Sequence, residues 1–166
     1  MKRQCFYLAG IALLTLCAGS AQAASKNLMT YDQLLQAVQQ GDDVRAIINF
    51  DKCTLKKAEG KSVADTSVDT SGTSSRINFT IFSHYKVPVN NQEKFTIATS
   101  QTILTEHRVF GPVYAYGRLR VFEDNTGEFH SAYYDPKTYE LKGAANYICR
   151  LGNGVDQGGI ELFASA

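Results

Sequence analysis

The sequence predicts an α+β protein that is mostly β, in which an N-terminal helix packs on a curved antiparallel sheet, as a roll or a partial barrel. Three observations lead to this prediction. The segment from Tyr31 to Gln40 has the apolar period of an amphipathic helix. Segments that alternate apolar and polar residues follow one another from Ile77 to Phe163. No helical period recurs after residue 41.

The first 23 residues have the three-part plan of a secretory signal peptide. Lys2 and Arg3 precede an apolar run, and residues 21–23, Ala-Gln-Ala, form a small-residue cleavage site. A membrane-spanning helix needs about 20 apolar residues, and this run is shorter, so we expect cleavage and no membrane span. Lipid modification at Cys17 is an alternative, although Leu16 stands where such signals have a small residue. The expected location is periplasmic or secreted.

After cleavage, residues 24–166 are expected to form a single domain, since about 143 residues suit one domain. Without Lys2 and Arg3, 15 of the chain's 17 basic residues remain, against 16 acidic ones. This near-neutral balance gives no electrostatic basis for binding nucleic acid or an anionic membrane surface.

Cys53 and Cys149 are the cysteines that remain in this domain, and we expect a disulfide between them. An isolated pair in an oxidising compartment is usually bridged. A zinc site would need about four ligands, and the sequence has no CxxC spacing. Two buried free thiols are the alternative. Either arrangement makes the cysteines structural.

The helix is predicted from its ends as well as from its period. Thr30 is a capping residue, Gln33 completes a capping box, and Met29 is placed to contact Leu34. Gly41 ends the helix. One face collects the apolar residues Tyr31, Leu34, Leu35 and Val38.

The segments after the helix are predicted to be strands and one long loop. Residues 44–50 are apolar and β-branched at successive positions, as in a strand buried on both faces beneath the helix. Residues 59–75 lack an apolar period, so we expect a flexible loop that is either unstructured or covers a site. A turn is expected at Pro88, Asn90 and Asn91. Further strands are predicted at residues 77–81, 95–98, 113–122, 128–134, 139–141, 147–151 and 160–163.

The hairpin at residues 124–127 leads to a candidate binding face. We expect Gly127 to take the left-handed position of a three-residue loop, which pairs Asp124 with Glu128 and Leu119 with Tyr133. Apolar residues then share one face. The other face combines aromatic rings with positive charge, residue types enriched where proteins bind partners or anionic groups: Tyr114, Tyr116, Arg118, Arg120, His130 and Tyr134. The alternative is an ordinary solvated sheet face.

No catalytic signature is present in the sequence. It contains no GxSxG, HExxH or P-loop motif, and we expect no cofactor, metal or catalytic residue. Residues 152–154, Gly-Asn-Gly, have Gln157 where a dinucleotide loop has its third glycine, so they predict a turn. A metal or acid/base cluster stays open as an alternative, because Glu106 precedes one of three histidines, His84, His107 and His130.

Two segments of the sequence together carry a family resemblance. The first runs from Tyr31 to Gly41 and continues through Val44-Arg45-Ala46 to Cys53. The second, residues 147–154, is a run of tyrosine, cysteine and glycine near the C-terminus. Both segments resemble the VirK family of bacterial exported proteins. The resemblance implies a small periplasmic or secreted protein, associated with virulence in some hosts, and supplies no catalytic residues. A second, unrelated group shares the name VirK, so the name alone assigns no function.

The sequence favours a non-enzymatic binding or accessory protein that acts outside the cytoplasm on an unknown protein or small-molecule partner. Two alternatives stay open. One is a small-ligand carrier whose sheet encloses an apolar, barrel-like cavity. The other is a hydrolase or metal enzyme that uses the histidines.

Overall fold

The computed structural model describes residues 25–56 and 73–165. The predicted signal peptide, residues 1–23, and most of the predicted loop lie outside the described residues. The loop prediction is wrong at its end, because residues 74 and 75 already belong to a strand. No helix in the described ranges is long and apolar enough to span a membrane.

The described chain is mostly β-strand, with one α-helix and a short 3-10 segment at Phe50–Lys52. The helix, α1, spans Tyr31–Gln40. The strands in chain order are β1 Lys26–Leu28, β2 Asp43–Asn49, β3 Thr54–Lys56, β4 Ser74–Asn78, β5 Phe82–Val89, β6 Gln92–His107, β7 Gly111–Phe122, β8 Thr126–Tyr134, β9 Leu141–Arg150 and β10 Ile160–Ser165.

Helix α1 begins and ends where the sequence predicts, which confirms that prediction. The Thr30 hydroxyl accepts a hydrogen bond from the Gln33 amide at 3.2 Å, and the Gln33 side chain accepts one from the Met29 amide at 2.6 Å. These bonds satisfy N–H groups that have no partner within the helix. Gly41 has a φ of 85°, the left-handed conformation that glycine adopts without steric cost. Strand β1 precedes the helix, so α1 is not the first element of the fold.

Two antiparallel sheets make up the rest of the fold. The four-stranded sheet has the order β1-β10-β2-β4, and the six-stranded sheet has the order β3-β9-β8-β7-β6-β5. Both sheets and α1 contribute to one hydrophobic cluster, in which Leu34, Ile48 and Leu119 are fully buried. The mostly β class with one packed helix is therefore confirmed.

The sheets do not close into a roll or a barrel, so that part of the prediction is wrong. Strands β3 and β5 are the edges of the larger sheet, and β1 and β4 are the edges of the smaller one. Strand β10 pairs with β2 instead of extending the larger sheet beside β9. Core side chains from both sheets fill the space between them. The described residues therefore offer no barrel interior for the cavity of the carrier hypothesis.

Several local predictions are corrected by the strands. Strand β2 is buried at alternate positions only, because α1 and the core cover one of its faces. Residues 139–141 do not form a separate strand, since Tyr139 has a φ of 58° in a turn before β9. The turn is confirmed at Asn90 and Asn91, which both have positive φ, whereas Pro88 lies within β5. Residues 77–81 divide between the end of β4 and the approach to β5.

The predicted register of the β7–β8 hairpin is wrong, but the residues predicted to share a face of the sheet do share it. Leu119 lies opposite Phe129, not Tyr133, and Val121 lies opposite Gly127. The left-handed residue is Asn125, with a φ of 60°, and the φ of Gly127 is not positive. A Cβ at Gly127 would lie 2.4 Å from Ile160 Cδ1, so glycine serves close packing here. The register differs by an even number of residues, which preserves the face of every side chain.

Cys53 and Cys149 form the predicted disulfide, with their Cα atoms 4.5 Å apart. Cys149 lies in β9 and is 2% exposed, as part of the core cluster. Cys53 precedes β3, whose residue Thr54 pairs with Ile148. The bridge therefore fastens the short edge strand β3 to the larger sheet.

Candidate functional site

The candidate site lies on the face of the six-stranded sheet that points away from α1 and the core, called here the outer face. Leu119 and Val121 of β7 point into the core, so strand alternation places Arg118 and Arg120 on the outer face. The register puts Arg118 opposite His130 of β8. All six residues predicted for a binding face thus share the outer face: Tyr114, Tyr116, Arg118, Arg120, His130 and Tyr134.

The outer face contains a recess of about 280 Å³ with tyrosine walls, called here the tyrosine recess. Its lining is Thr102, Tyr114, Tyr116, Tyr134 and Tyr139. Tyr116 lies opposite Ala132 on β8, which in turn lies opposite Ala144 on β9, so two small side chains follow Tyr116 across the sheet. Three of the tyrosines belong to the predicted face. The sequence analysis missed Thr102 and Tyr139, which reach the recess from β6 and from the turn before β9.

Asp135 holds the turn that brings Tyr139 to the recess. Its carboxylate accepts hydrogen bonds from the amides of Lys137 at 2.9 Å and Thr138 at 3.0 Å. The Tyr139 amide donates to the Asp135 carbonyl at 2.9 Å. The Tyr139 ring then stacks on Tyr114, with centroids 5.9 Å apart and an interplanar angle of 10°. The hydrogen bonds from Thr138 and Lys137 lower the pKa of Asp135 to about 2.

We expect acid to loosen this turn before it unfolds the protein. The folded pKa of Asp135 lies below its usual value of 3.8, so its carboxylate stabilises the turn above about pH 4, and the contribution is lost as pH falls through about 2. Ring signals of Tyr139 and Tyr114 in NMR spectra should move over that window. An Asp135→Asn variant keeps an acceptor oxygen but does not titrate, so its spectra should not show the transition.

The outer face contains two arginines, of which Arg120 forms an ion pair with a described residue and Arg118 does not. Arg120 Nη2 donates to Glu128 Oε2 at 2.5 Å, and that carboxylate balances its charge. Arg118 forms no ion pair with any described residue, and its Nε atom, like that of Arg120, is buried without a hydrogen-bond partner. His130 Nδ1 forms a hydrogen bond with Asn146 Oδ1 at 2.7 Å. The centroids of the His130 and Tyr116 rings lie 6.0 Å apart, in an edge-on arrangement. Arg118 is therefore an uncompensated cation beside the tyrosine recess.

The three histidines lie in separate environments, which gives no support to the cluster alternative. The His84 ring contacts Tyr31 and Phe95, while His130 is on the outer face. His107 Nδ1 accepts hydrogen bonds from the amides of Val109 and Phe110, and burial, with a smaller effect of Arg108, lowers the His107 pKa. Among the described residues, no three His, Cys, Asp or Glu side chains are grouped to hold a metal.

A second recess, of about 200 Å³, lies on the four-stranded sheet beside the glycine-rich segment between β9 and β10. The Asn153 side chain accepts hydrogen bonds from the amides of Val155 and Asp156, which makes residues 152–156 the expected turn. The lining includes Asp156 and Glu161 but no Arg or Lys. It offers no cationic group to an anionic ligand, in contrast to the outer face.

Comparison with known proteins identifies the family. The sequence model described as VirK protein matches residues 27–139, more than half of the chain. The chain belongs to the VirK family. A crystal structure of a VirK family protein from Legionella pneumophila is similar to this fold, with a TM-score of 0.57 and 15% sequence identity. The similarity covers 82% of this chain and 98% of the Legionella chain. No curated protein matches the sequence.

The VirK match confirms the resemblance seen in the N-terminal segment, Tyr31 to Cys53. Residues 147–154, the second segment of that resemblance, lie beyond the matched range. At 15% identity the Legionella structure supports the VirK fold and says nothing of a shared ligand. Membership of the family assigns no activity, so a function has to be argued from the surface of this protein.

Proposed function

We propose that this VirK protein is an exported, non-enzymatic binding or accessory protein, and that the outer face of the six-stranded sheet is its binding surface. The observation that carries the proposal is the tyrosine recess beside Arg118, whose charge no described residue balances. Aromatic residues and arginine dominate the energetics of protein binding surfaces.

Export is supported by the signal-like residues 1–23 and by the disulfide between Cys53 and Cys149. Disulfides persist in the periplasm and outside the cell, whereas cytosolic reductants keep most thiols reduced. The proposal therefore has residues 24–166 acting as a single domain in the periplasm or after secretion. The proposed association with virulence rests only on membership of the VirK family.

The test compares what the purified protein captures from bacterial envelope and host extracts, followed by mass spectrometry of proteins and small molecules. A double change of Arg118 and Arg120 to alanine would remove both charges, but it would also leave Glu128 without its partner. Arg118→Gln is the cleaner variant, since it breaks no ion pair. Arg150→Gln, at an exposed position on β9, is the matched control.

We expect the wild-type protein and Arg150→Gln to retain the same partner, and Arg118→Gln to lose most of it. The melting temperature of Arg118→Gln should stay close to that of the wild type, because surface substitutions away from paired groups change stability by less than about 0.5 kcal/mol. Equal capture by Arg118→Gln would show that the outer face is not the binding surface. A large drop in melting temperature would show instead that Arg118 is structural.

A further inference from the structure

The chemistry of the tyrosine recess narrows the ligand class. Four of its five lining residues are tyrosines and the fifth is Thr102, so no carboxylate or carboxamide of a described residue lines it. The surface that these residues expose to the recess is almost entirely apolar, whereas a sugar is usually bound by several polar groups placed in its site. A primary ammonium has three N–H donors to satisfy. A quaternary ammonium has none and binds through the negative faces of aromatic rings.

Arg118, which lies beside the recess, favours a ligand that carries an anionic group. Arg118 is two residues from Tyr116 on the same strand and face, about 6.8 Å along β7. Arginine binds phosphate through paired N–H donors, and no carboxylate of a described residue pairs with Arg118. His130 lies opposite Arg118, and its Nδ1 atom is 2.7 Å from Asn146 Oδ1. The recess and Arg118 are thus adjacent on one surface.

We propose that the outer face binds phosphocholine chemistry, with the quaternary ammonium in the tyrosine recess and the phosphate on Arg118. The inference rests on the proposed function and names the ligand class of the same surface. A phosphate joined to the ammonium by a short linker separates the cation from Arg118 and so removes the repulsion that choline alone would meet. The ligand is either a soluble phosphocholine group or the headgroup of a choline lipid.

The first experiment titrates the purified full chain, as the expressing cell processes it, with phosphocholine, choline and inorganic phosphate, followed by NMR. Phosphocholine should bind about tenfold more tightly than either choline or phosphate, because only phosphocholine meets both halves of the site. The tyrosine ring signals of the recess should shift. No shift of these signals at millimolar phosphocholine would overturn the proposal.

Variants separate the two halves of the site. Tyr116→Leu should weaken phosphocholine binding about tenfold, whereas Tyr116→Phe keeps a ring and should bind nearly as well as the wild type. Arg118→Gln should strengthen choline binding slightly, because it removes the repulsion, and should abolish the preference for phosphocholine over choline. Tyr85→Leu, at an exposed tyrosine on β5 outside the recess, is the control and should bind normally. Undiminished binding by Tyr116→Leu would contradict the proposal.

Vesicles distinguish the source of the ligand. Sedimentation with phosphatidylcholine vesicles but not with phosphatidylglycerol vesicles would assign a lipid headgroup, and binding of soluble phosphocholine alone would assign a free or polymer-linked group. The results also distinguish a wrong ligand class from a wrong binding surface. If phosphocholine does not bind but capture from extracts still depends on Arg118, the outer face remains the binding surface for a different ligand.

Discussion

Replacement of Cys149 by serine is expected to lower the free energy of unfolding by about 2–5 kcal/mol, the usual cost of losing a native disulfide from a small secreted domain. The bridge joins residues 96 apart in sequence, so its loss releases a long loop in the unfolded chain. Cys149 is also 2% exposed, and the change places a hydroxyl in the core. Denaturant unfolding of wild type and variant, monitored by circular dichroism, measures the difference.

The control for this prediction is the double variant Cys53→Ser, Cys149→Ser. It should be as unstable as Cys149→Ser to within about 1 kcal/mol, since the single change already breaks the bridge and the double change only removes the remaining thiol. Wild-type protein unfolded without reductant should not react with a thiol reagent at Cys53 or Cys149. Full reaction of both residues would show that the protein has no such bridge.

The parts of the fold that the sequence predicted well are those specified by neighbours in the chain. The ends of α1 follow from contacts of Thr30 with Gln33 and from the glycine at position 41, all within one or two turns. Strands β7, β8 and β10 show their alternation directly, and the structure moves one end of each by two residues and leaves the other end where it was predicted. Local steric and hydrogen-bonding rules decide these elements, so a single sequence reveals them.

The strands that the sequence did not reveal are exposed edge strands. Strands β1 and β3 are three residues long, and β5 has exposed residues at most positions. Strands this short or this exposed show no apolar period to detect. The pairing of β1 and β3 depends on partners far along the chain, β10 and β9, whereas β5 pairs with the next strand, β6. The division into two sheets follows from the same distant pairings, which is why a closed roll was the wrong expectation.

The register error and the incomplete site have the same origin. Gly127 is glycine because Ile160, 33 residues later, occupies the space of its Cβ, which no local turn rule contains. Tyr139 joins the recess only because Asp135 folds the turn back over Tyr114. The six residues of the predicted face were recoverable because side-chain alternation depends on parity, and parity survives an even shift of register.

Replacement of Gly158 by alanine is expected to lower the free energy of unfolding by about 1–3 kcal/mol or more, the cost of forcing extra volume into packed structure. A Cβ there would lie 2.4 Å from three backbone atoms, the Arg150 carbonyl oxygen, the Gly152 nitrogen and the Leu151 carbonyl carbon. Backbone cannot rotate aside as a side chain does. The chain must therefore shift where it crosses the end of β9, beside the disulfide that Gly159 contacts.

Two comparisons make the Gly158 prediction specific to backbone contact. A Cβ at Gly127 would lie 2.4 Å from the flexible end of Ile160 and 3.2 Å from the Arg120 carbonyl oxygen, so Gly127→Ala should cost less than Gly158→Ala, whose close contacts are all with backbone. Val155→Ala, in the same segment at a position 91% exposed, should change stability by less than about 0.5 kcal/mol. Thermal and denaturant unfolding should show the largest loss of stability for Gly158→Ala, a smaller loss for Gly127→Ala and the smallest for Val155→Ala. A tight backbone crossing cannot accept a methyl group without moving. An unchanged melting temperature for Gly158→Ala would therefore mean that the segment between β9 and β10 does not lie against β9.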